Sequence, residues 1–360
     1  MTEERRDPSV RARRSYGRPA TGRVSMAAVA ALAGVSGQTV SRVVNDSPRV
    51  DPDTRMRVEQ AMAELGYRPH RAARALRTGR SQTIGLVVTT LATVGNSRML
   101  QATAEAAEVR GYALLLVTAG RSVAEAFVRL QDQGVDGAIV LNEASALARA
   151  DDRPEGLRLV VVDAPAGDGS RAVHSDHAGG AAAATRRLLE LGHESVRHLA
   201  GPENSFAAAE RERGWRAALE AAGIEPLPPI RGDWTAESGF AAAVELDEAS
   251  AVFCANDQMA LGLIRALAEN GRRVPEDVGV IGFDDVPDAA NYRPPLTTIR
   301  QDFAALAVAA VDALVGEIEA AGATGATGAT GAAGAAGAAA DPVPDIIPTH
   351  LIERRSAARR

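Results

Sequence analysis

The chain has 360 residues, an apolar share of 46%, a single cysteine and a formal net charge of −6. This length leaves room for two or three domains with real cores; one cysteine excludes a disulfide within the chain and a cysteine-based metal site. The overall charge speaks against a nucleic-acid partner, but its distribution reverses that: residues 1–80 hold 16 Arg against 8 acidic residues, a net of +8, and the rest hold 24 against 38, a net of −14. A basic head on an acidic body predicts that one end meets a polyanion.

Residues 1–23 hold seven Arg among Pro, Gly and Ser and read as a disordered basic tail. They contain no apolar core of a signal peptide, and no run of about 18 apolar residues occurs anywhere, so a cytoplasmic location is expected. Residues 24–68 read as a small helical domain of three pieces. Ser25 can cap MAAVAALAG, which Gly34 breaks; Ser36 can cap a second helix; Asp51, followed by Pro52, can cap a third that runs to about Leu65. Val29, Leu32, Val40, Val43, Val44, Val58, Met62 and Leu65 recur at helical spacing and predict one small core.

Residues 69–81 are a basic, Pro-led hinge able to become helical. From residue 82 the pattern changes. TIGLVV, YALLLV, GAIVL, LRLVVVD, VRHLA, AVFCAND and VGVIGFDD are short apolar runs separated by helix-like stretches. That alternation predicts parallel α/β sheets buried on both faces, in two lobes over residues 82–356. Residues 321–340, AGATGATGATGAAGAAGAAA, read as a flexible low-complexity insertion, because a Gly every third residue costs a helix about 1 kcal/mol each. Cys254, inside AVFC, reads as a buried free thiol.

The second helical piece lies in VSGQTVSRVVN, residues 35–45, and carries Gln38, Thr39, Ser41, Arg42 and Asn45 within little more than two turns. Two short helices joined at a Gly-containing turn make a helix-turn-helix, whose second helix enters a DNA major groove. Gln38 can pair with adenine and Arg42 with guanine. The hydroxyls of Ser25, Ser36, Thr39 and Ser41 suit phosphates. The same residues also fit an ordinary solvated helix face; the +8 charge favours DNA.

The stretch VSMAAVAALAGVSGQTVSRVVNDSPRVDPDTRMRVEQAMAELGYRPHRAARAL resembles the DNA-binding head of the LacI/GalR family of bacterial repressors. The resemblance continues through IGLVV, LLELGH, LAGP, GDWTAESGF, ANDQMALGLIRAL and DDVPDAANYRPPLTTIRQDF, over about residues 24–320 and again 343–356. It implies a helix-turn-helix head and a two-lobed, periplasmic-binding-protein-like α/β body. It further implies a homodimer whose heads read a palindromic operator, with HRAARAL as a hinge that folds on DNA. Arg71 and Ala73 fall in that hinge, and Leu76 matches the Leu that wedges into the minor groove. Gly37 departs from the pattern, standing where a family member carries a large base-reading side chain. No Leu heptads follow the body, so a dimer rather than a tetramer is expected.

A sugar site needs acceptors and donors for paired hydroxyls and an apolar plate for the C–H face of the ring. Asp163, Arg211, Trp234, Asn256, Asp257 and Asp284 can supply these, and three of their motifs end expected strands, where open α/β sheets bind ligands. The resemblance implies that Asp163, Arg211, Trp234, Asn256 and Asp284 hold sugar, with Thr89 and Phe303 as walls. Read alone, Arg211 is a surface charge between Glu210 and Glu212, and Asp257 an N-cap for QMALGLIRAL; Asp285 reads as a loop or capping residue and Trp215 as core. Near 91–100 and 141–146 the resemblance weakens, and Asn142 lies one residue out of register with a ligand Asn. A galactoside-like inducer is the expected effector, with a corepressor or a non-sugar effector as the alternative.

An enzyme is the rival class, and an exported sugar-binding protein the other. No Gly-Lys phosphate loop, HExxH or GxSxG is present. GDGSRA, 167–172, fits GxGxxA but leads into no clear helix, and the six His are scattered, most of them reading as loop or surface residues. No catalytic residue, metal or cofactor is expected.

Overall fold

The computed structural model describes residues 24–45, 47–67, 79–120, 122–142, 144, 156–165, 170–326 and 344–357. Two compact units divide at Gly79–Arg80.

In the first unit, side-chain caps start three helices where the sequence places them. Ser25 Oγ accepts from Ala28 N ahead of α1 (Met26–Ala33). Ser36 Oγ accepts from Thr39 N at 3.1 Å ahead of α2 (Gly37–Val44). Asp51 Oδ2 accepts from Thr54 N at 3.1 Å ahead of α3 (Pro52–Leu65). Each satisfies an N–H that has no partner within the helix. Gly34 ends α1 at φ 66°, a conformation that costs glycine little. Val29, Val40, Val43, Val58 and Ala61 form the core, with Val44, Met62 and Leu65 packed at its edge. Leu32 does not join them and is 46% exposed. The buried stripe of α1 centres on Val29, Ala30 and Ala33, and Leu32 falls on its flank.

The second unit has two lobes, each built on a six-stranded sheet. The N-lobe begins with β1 (Thr83–Val88), α4 (Val94–Val109), β2 (Ala113–Thr118), α5 (Val123–Asp132), β3 (Gly137–Leu141), β4 (Arg158–Val162) and β5 (Arg171–Ser175). At Asp176 the chain crosses into the C-lobe: α6 (His177–Glu190), β6 (Arg197–Ala200), α7 (Phe206–Ala221), β7 (Ile230–Arg231), α8 (Ala236–Ala241), β8 (Ala251–Cys254), α9 (Asp257–Glu269), β9 (Gly279–Asp284) and β10 (Thr297–Gln301). It returns at Asp302 for α10 (Phe303–Ala326) and β11 (Asp345–Ile347), and crosses a third time at Pro348 into β12 (Thr349–Ile352). The sheets run β11-β5-β4-β3-β1-β2 and β12-β10-β9-β8-β6-β7; β12 is antiparallel to β10 and the other pairings are parallel. Helices cover both faces, so β3, β8 and β9 are buried at every position, which is why they read as unbroken apolar runs.

Three expectations need correction. α10 continues to Ala326, into the segment read as a flexible insertion. Extending an existing helix needs no new nucleus, so an Ala-rich stretch tolerates isolated glycines there; residues 327–340 lie outside the described residues. Four of the six His are buried rather than at the surface: His174, His177, His193 and His198 are at most 8% exposed. Asp257 is not an N-cap. Asn256 caps α9, its Oδ1 accepting from Met259 N at 2.9 Å. Asp257, fully buried, accepts instead from Val286 N and Thr298 Oγ1. Gly282 makes room for that carboxylate, since a Cβ there would overlap Asp257 Oδ1. Among the described residues no single helix is long and apolar enough to cross a membrane.

Candidate functional site

On α2, Gln38 and Arg42 lie one turn apart, both exposed, and neither side chain bonds to another described residue. Ser36, Thr39 and Ser41 flank them; Ser36 Oγ and Thr39 Oγ1 are 2.9 Å apart. A Cβ added at Gly37 would meet no atom within 4 Å, so this first residue of the helix faces open space. Asn45 behaves differently from a base reader. It is the C-cap of α2, and its Nδ2 donates to Ser41 O and lies 3.3 Å from Ser41 Oγ. Ser25 is exposed at the start of α1. Arg71, Ala73 and Leu76 lie outside the described residues.

In the body, a cavity open to solvent, with an accessible volume of about 50 Å³, is lined by residues of both lobes. Asp163, Arg211, Trp234, Asn256, Asp284 and Phe303 all line it. Thr89 does not; it is half-buried just past the end of β1. Asp163 follows β4, Asn256 follows β8 and Asp284 ends β9, so strand ends carry the polar groups to the cavity.

Arg211 is the hub. On α7 its neighbours Glu210 and Glu212 turn outward to Arg213, Arg216 and Arg231, while Arg211 turns inward and is 4% exposed. It donates to Ala255 O, to His177 Nδ1 at 3.3 Å, and its NH2 group sits 3.5 Å from Asp284 Oδ1. Its guanidinium lies over the Phe283 ring at 3.9 Å and the Trp234 ring at 5.5 Å. Rigid donors fixed by packing in this way are suited to forking across two hydroxyls. Trp234 is half-buried at φ 75°, and Asn256 Nδ2 donates to its carbonyl at 3.0 Å. Gly201 lets the indole lie flat against the strand end, because a Cβ there would overlap the ring.

The carboxylates differ. Burial alone would push Asp163 up, but the adjacent His177 ring, with hydrogen bonds from that ring and from Ser175 N, holds it below the usual range. Burial pushes Asp284 up, opposed by Arg211 and by Gln301, whose Nε2 donates at 2.6 Å. Burial, with Asp284 nearby, pushes Asp257 well up. The Cys254 thiol is buried and pushed up as well, which suits an inert core position. Asp285 stays out of the cavity and holds Arg300 and Arg354, and Trp215 is fully buried.

Sequence reasoning missed Asn96, Asn142, Ser205, Gln258 and Gln301, which also line the cavity. Asn142 sits at φ 44° just past β3, a conformation asparagine tolerates better than most residues, so register alone did not place it. Among the described residues no group of three or more His, Cys, Asp or Glu is placed to hold a metal ion.

Residues 25–70 match the family model for bacterial regulatory proteins, lacI family, and residues 185–357 that for a periplasmic binding protein-like domain. The lactose operon repressor of Escherichia coli (strain K12) is 38% identical over 303 residues, covering 81% of this chain and 84% of that protein. The solved lac repressor dimer bound to operator and the anti-inducer ONPF superposes with a TM-score of 0.78 at 33% identity, covering 94% of this chain and all of that one. A complex of the transcriptional regulator CelR with cellobiose gives 0.65 at 36% identity, covering 93% of this chain and all of that one. With a helix-turn-helix head, a two-lobed α/β body and relatives that are transcriptional regulators rather than enzymes, the chain belongs to the lacI family of bacterial regulatory proteins.

Proposed function

We propose that the protein is a transcriptional repressor that binds a palindromic operator as a homodimer and is released by a small sugar held between its lobes. Residues 24–68 read the DNA, residues 69–81 are the hinge, and residues 82–356 sense the sugar and pair with a second copy. The observation that carries the reading is the convergence of Asp163, Arg211, Asn256 and Asp284 beside the Trp234 ring in one cavity. Acceptors, a rigid double donor and an aromatic plate are the set a pyranose needs. Gln38 and Arg42 read bases; Ser25, Ser36, Thr39 and Ser41 face phosphates, with Arg71, Ala73 and Leu76 in the hinge.

Release follows from linkage. A sugar that contacts both lobes favours the inter-lobe arrangement that suits it, and lowers DNA affinity when that arrangement binds DNA poorly. The test is a gel shift on palindromes from the upstream region of the coding sequence, at fixed salt because phosphate contacts make affinity salt-dependent, with and without a panel of galactosides and glucosides. Specific binding released by one sugar supports the reading. Binding that a sugar tightens makes it a corepressor, and absence of specific binding overturns the repressor assignment.

A further inference from the structure

Asn96 and Asn142 lie together on the N-lobe wall of the cavity. Asn96 Nδ2 donates to Thr90 O at 3.0 Å, and Asn142 Nδ2 donates to Asn96 Oδ1 at 2.6 Å. The backbone carbonyl of Thr90 can only accept, so it fixes the orientation of both amides. Asn96 presents its oxygen, Asn142 answers with its nitrogen, and Asn142 Oδ1 is left without a protein partner among the described residues. Asn96 is 3% exposed, so this is a built wall rather than a surface pair. Gln301 repeats the pattern at the crossover into α10: its Nε2 is committed to Asp284, and its buried Oε1 has no partner.

Amide oxygens without partners on a cavity wall accept hydroxyl hydrogens. An apolar group placed against them would displace water and return no hydrogen bond. Arg211, Trp234 and Asp163 already provide for one pyranose ring, which leaves the amide wall for what is attached to it. Building on the sugar reading above, we propose that the Asn96–Asn142 pair is a specificity determinant that requires a hydroxylated second unit. The site then takes a disaccharide in preference to a glycoside with an apolar aglycone.

Matched compounds test it: lactose against phenyl β-D-galactopyranoside, and cellobiose against phenyl β-D-glucopyranoside, titrated calorimetrically into the full chain. In at least one pair the disaccharide should bind about tenfold more tightly. Asn142→Gly removes the amide without straining a backbone at φ 44°. It should lower disaccharide affinity about tenfold and leave the phenyl glycoside within about twofold. Asn96→Ala, compatible with a helix, should do the same, and the wild-type pairs decide the matter if neither variant folds. Phenyl glycosides that equal or exceed the disaccharides in both pairs would overturn the inference, as would an equal loss for both compounds in Asn142→Gly. If none of the four binds, the sugar reading itself falls, and this inference with it.

Discussion

The Nε2 of His177 lies 2.9 Å from the Oδ1 of Asp163, joining the first residue of α6 in the C-lobe to the end of β4 in the N-lobe at the cavity wall. The ring's other nitrogen, Nδ1, accepts from Arg211 Nε. That acceptance places the proton on Nε2, where it faces the carboxylate. A ligand that moves Arg211 therefore moves a contact between the lobes. Ser175 N donates to the same Oδ1 at 2.9 Å. Asp163→Asn can keep its amide oxygen there for both groups, but it removes the charge and puts an N–H₂ donor where Oδ2 can accept from a sugar hydroxyl. Sugar affinity should fall roughly 10- to 100-fold, the loss of one or two charged hydrogen bonds, read by titration calorimetry, with the far-ultraviolet circular dichroism unchanged.

Arg211→Lys tests the hub. Lysine cannot reach Ala255 O, His177 and Asp284 together, nor lie flat over Phe283. It leaves a buried carboxylate poorly partnered, so the body should lose about 3 kcal/mol of stability in urea denaturation as well as its sugar binding. Retention of both would show that the guanidinium network is dispensable.

Gln38 and Arg42 should separate from the phosphate contacts in DNA binding. Arg42→Ala should cost about 1–3 kcal/mol on the best operator and relax preference at one base pair, while leaving the salt slope nearly unchanged. Gly37 has open space around its missing Cβ. Gly37→Tyr should therefore fold normally and shift operator preference in a binding-site selection; an unchanged preference would remove that position from the reading face.

His198 sets an acid limit. It is fully buried, stacked on Phe253 with ring centroids 4.8 Å apart, and Nδ1 is 3.0 Å from Phe253 O. Burial lowers it from 6.5 to about 4. The unfolded chain therefore takes up a proton between those values that the folded chain refuses, and stability falls as pH drops from 6.5 toward 4. Between pH 7 and 5 this one group removes about 2 kcal/mol. His198→Asn should lower stability at pH 7 but flatten that slope in urea melts at the two pH values. Asp163 acts with the same sign in a more acid window: its depressed carboxyl stabilises the fold above its unfolded value and loses that effect as pH falls through the folded one.

Legibility followed the range of the interactions. Ser25, Ser36 and Asp51 were readable as caps because a cap is settled within three residues, as was the positive-φ stop at Gly34. The buried runs of β3, β8 and β9 were readable because both faces are covered. β5, as RAVHS, and β10, as TTIRQ, hide among polar residues because their neighbours in the sheet, not their own composition, make them strands. At the site, the strand-end acids and Trp234 showed in the sequence. Asn96, Asn142 and Gln301 did not, because an amide becomes a wall only when a residue distant in sequence holds it. Asp257 was misread by one position: either residue of an Asn-Asp pair can cap, and only the Thr298 hydroxyl and the Val286 N–H decide which turns inward.

The chain passes between the lobes at Asp176, Asp302 and Pro348, and the last two strands, β11 and β12, each fill the outer edge of a different sheet. Ser356 then fastens the end, its hydroxyl bonded to Thr297 N and Val280 O. During synthesis on the ribosome, then, neither lobe is complete until these final residues have emerged. The head differs: its core comes from one short continuous stretch and needs nothing downstream. A message cut short before residue 345 would thus yield a folded head attached to a body with two open sheet edges, at β5 and β10, and those raw edges mark it for aggregation or proteolysis.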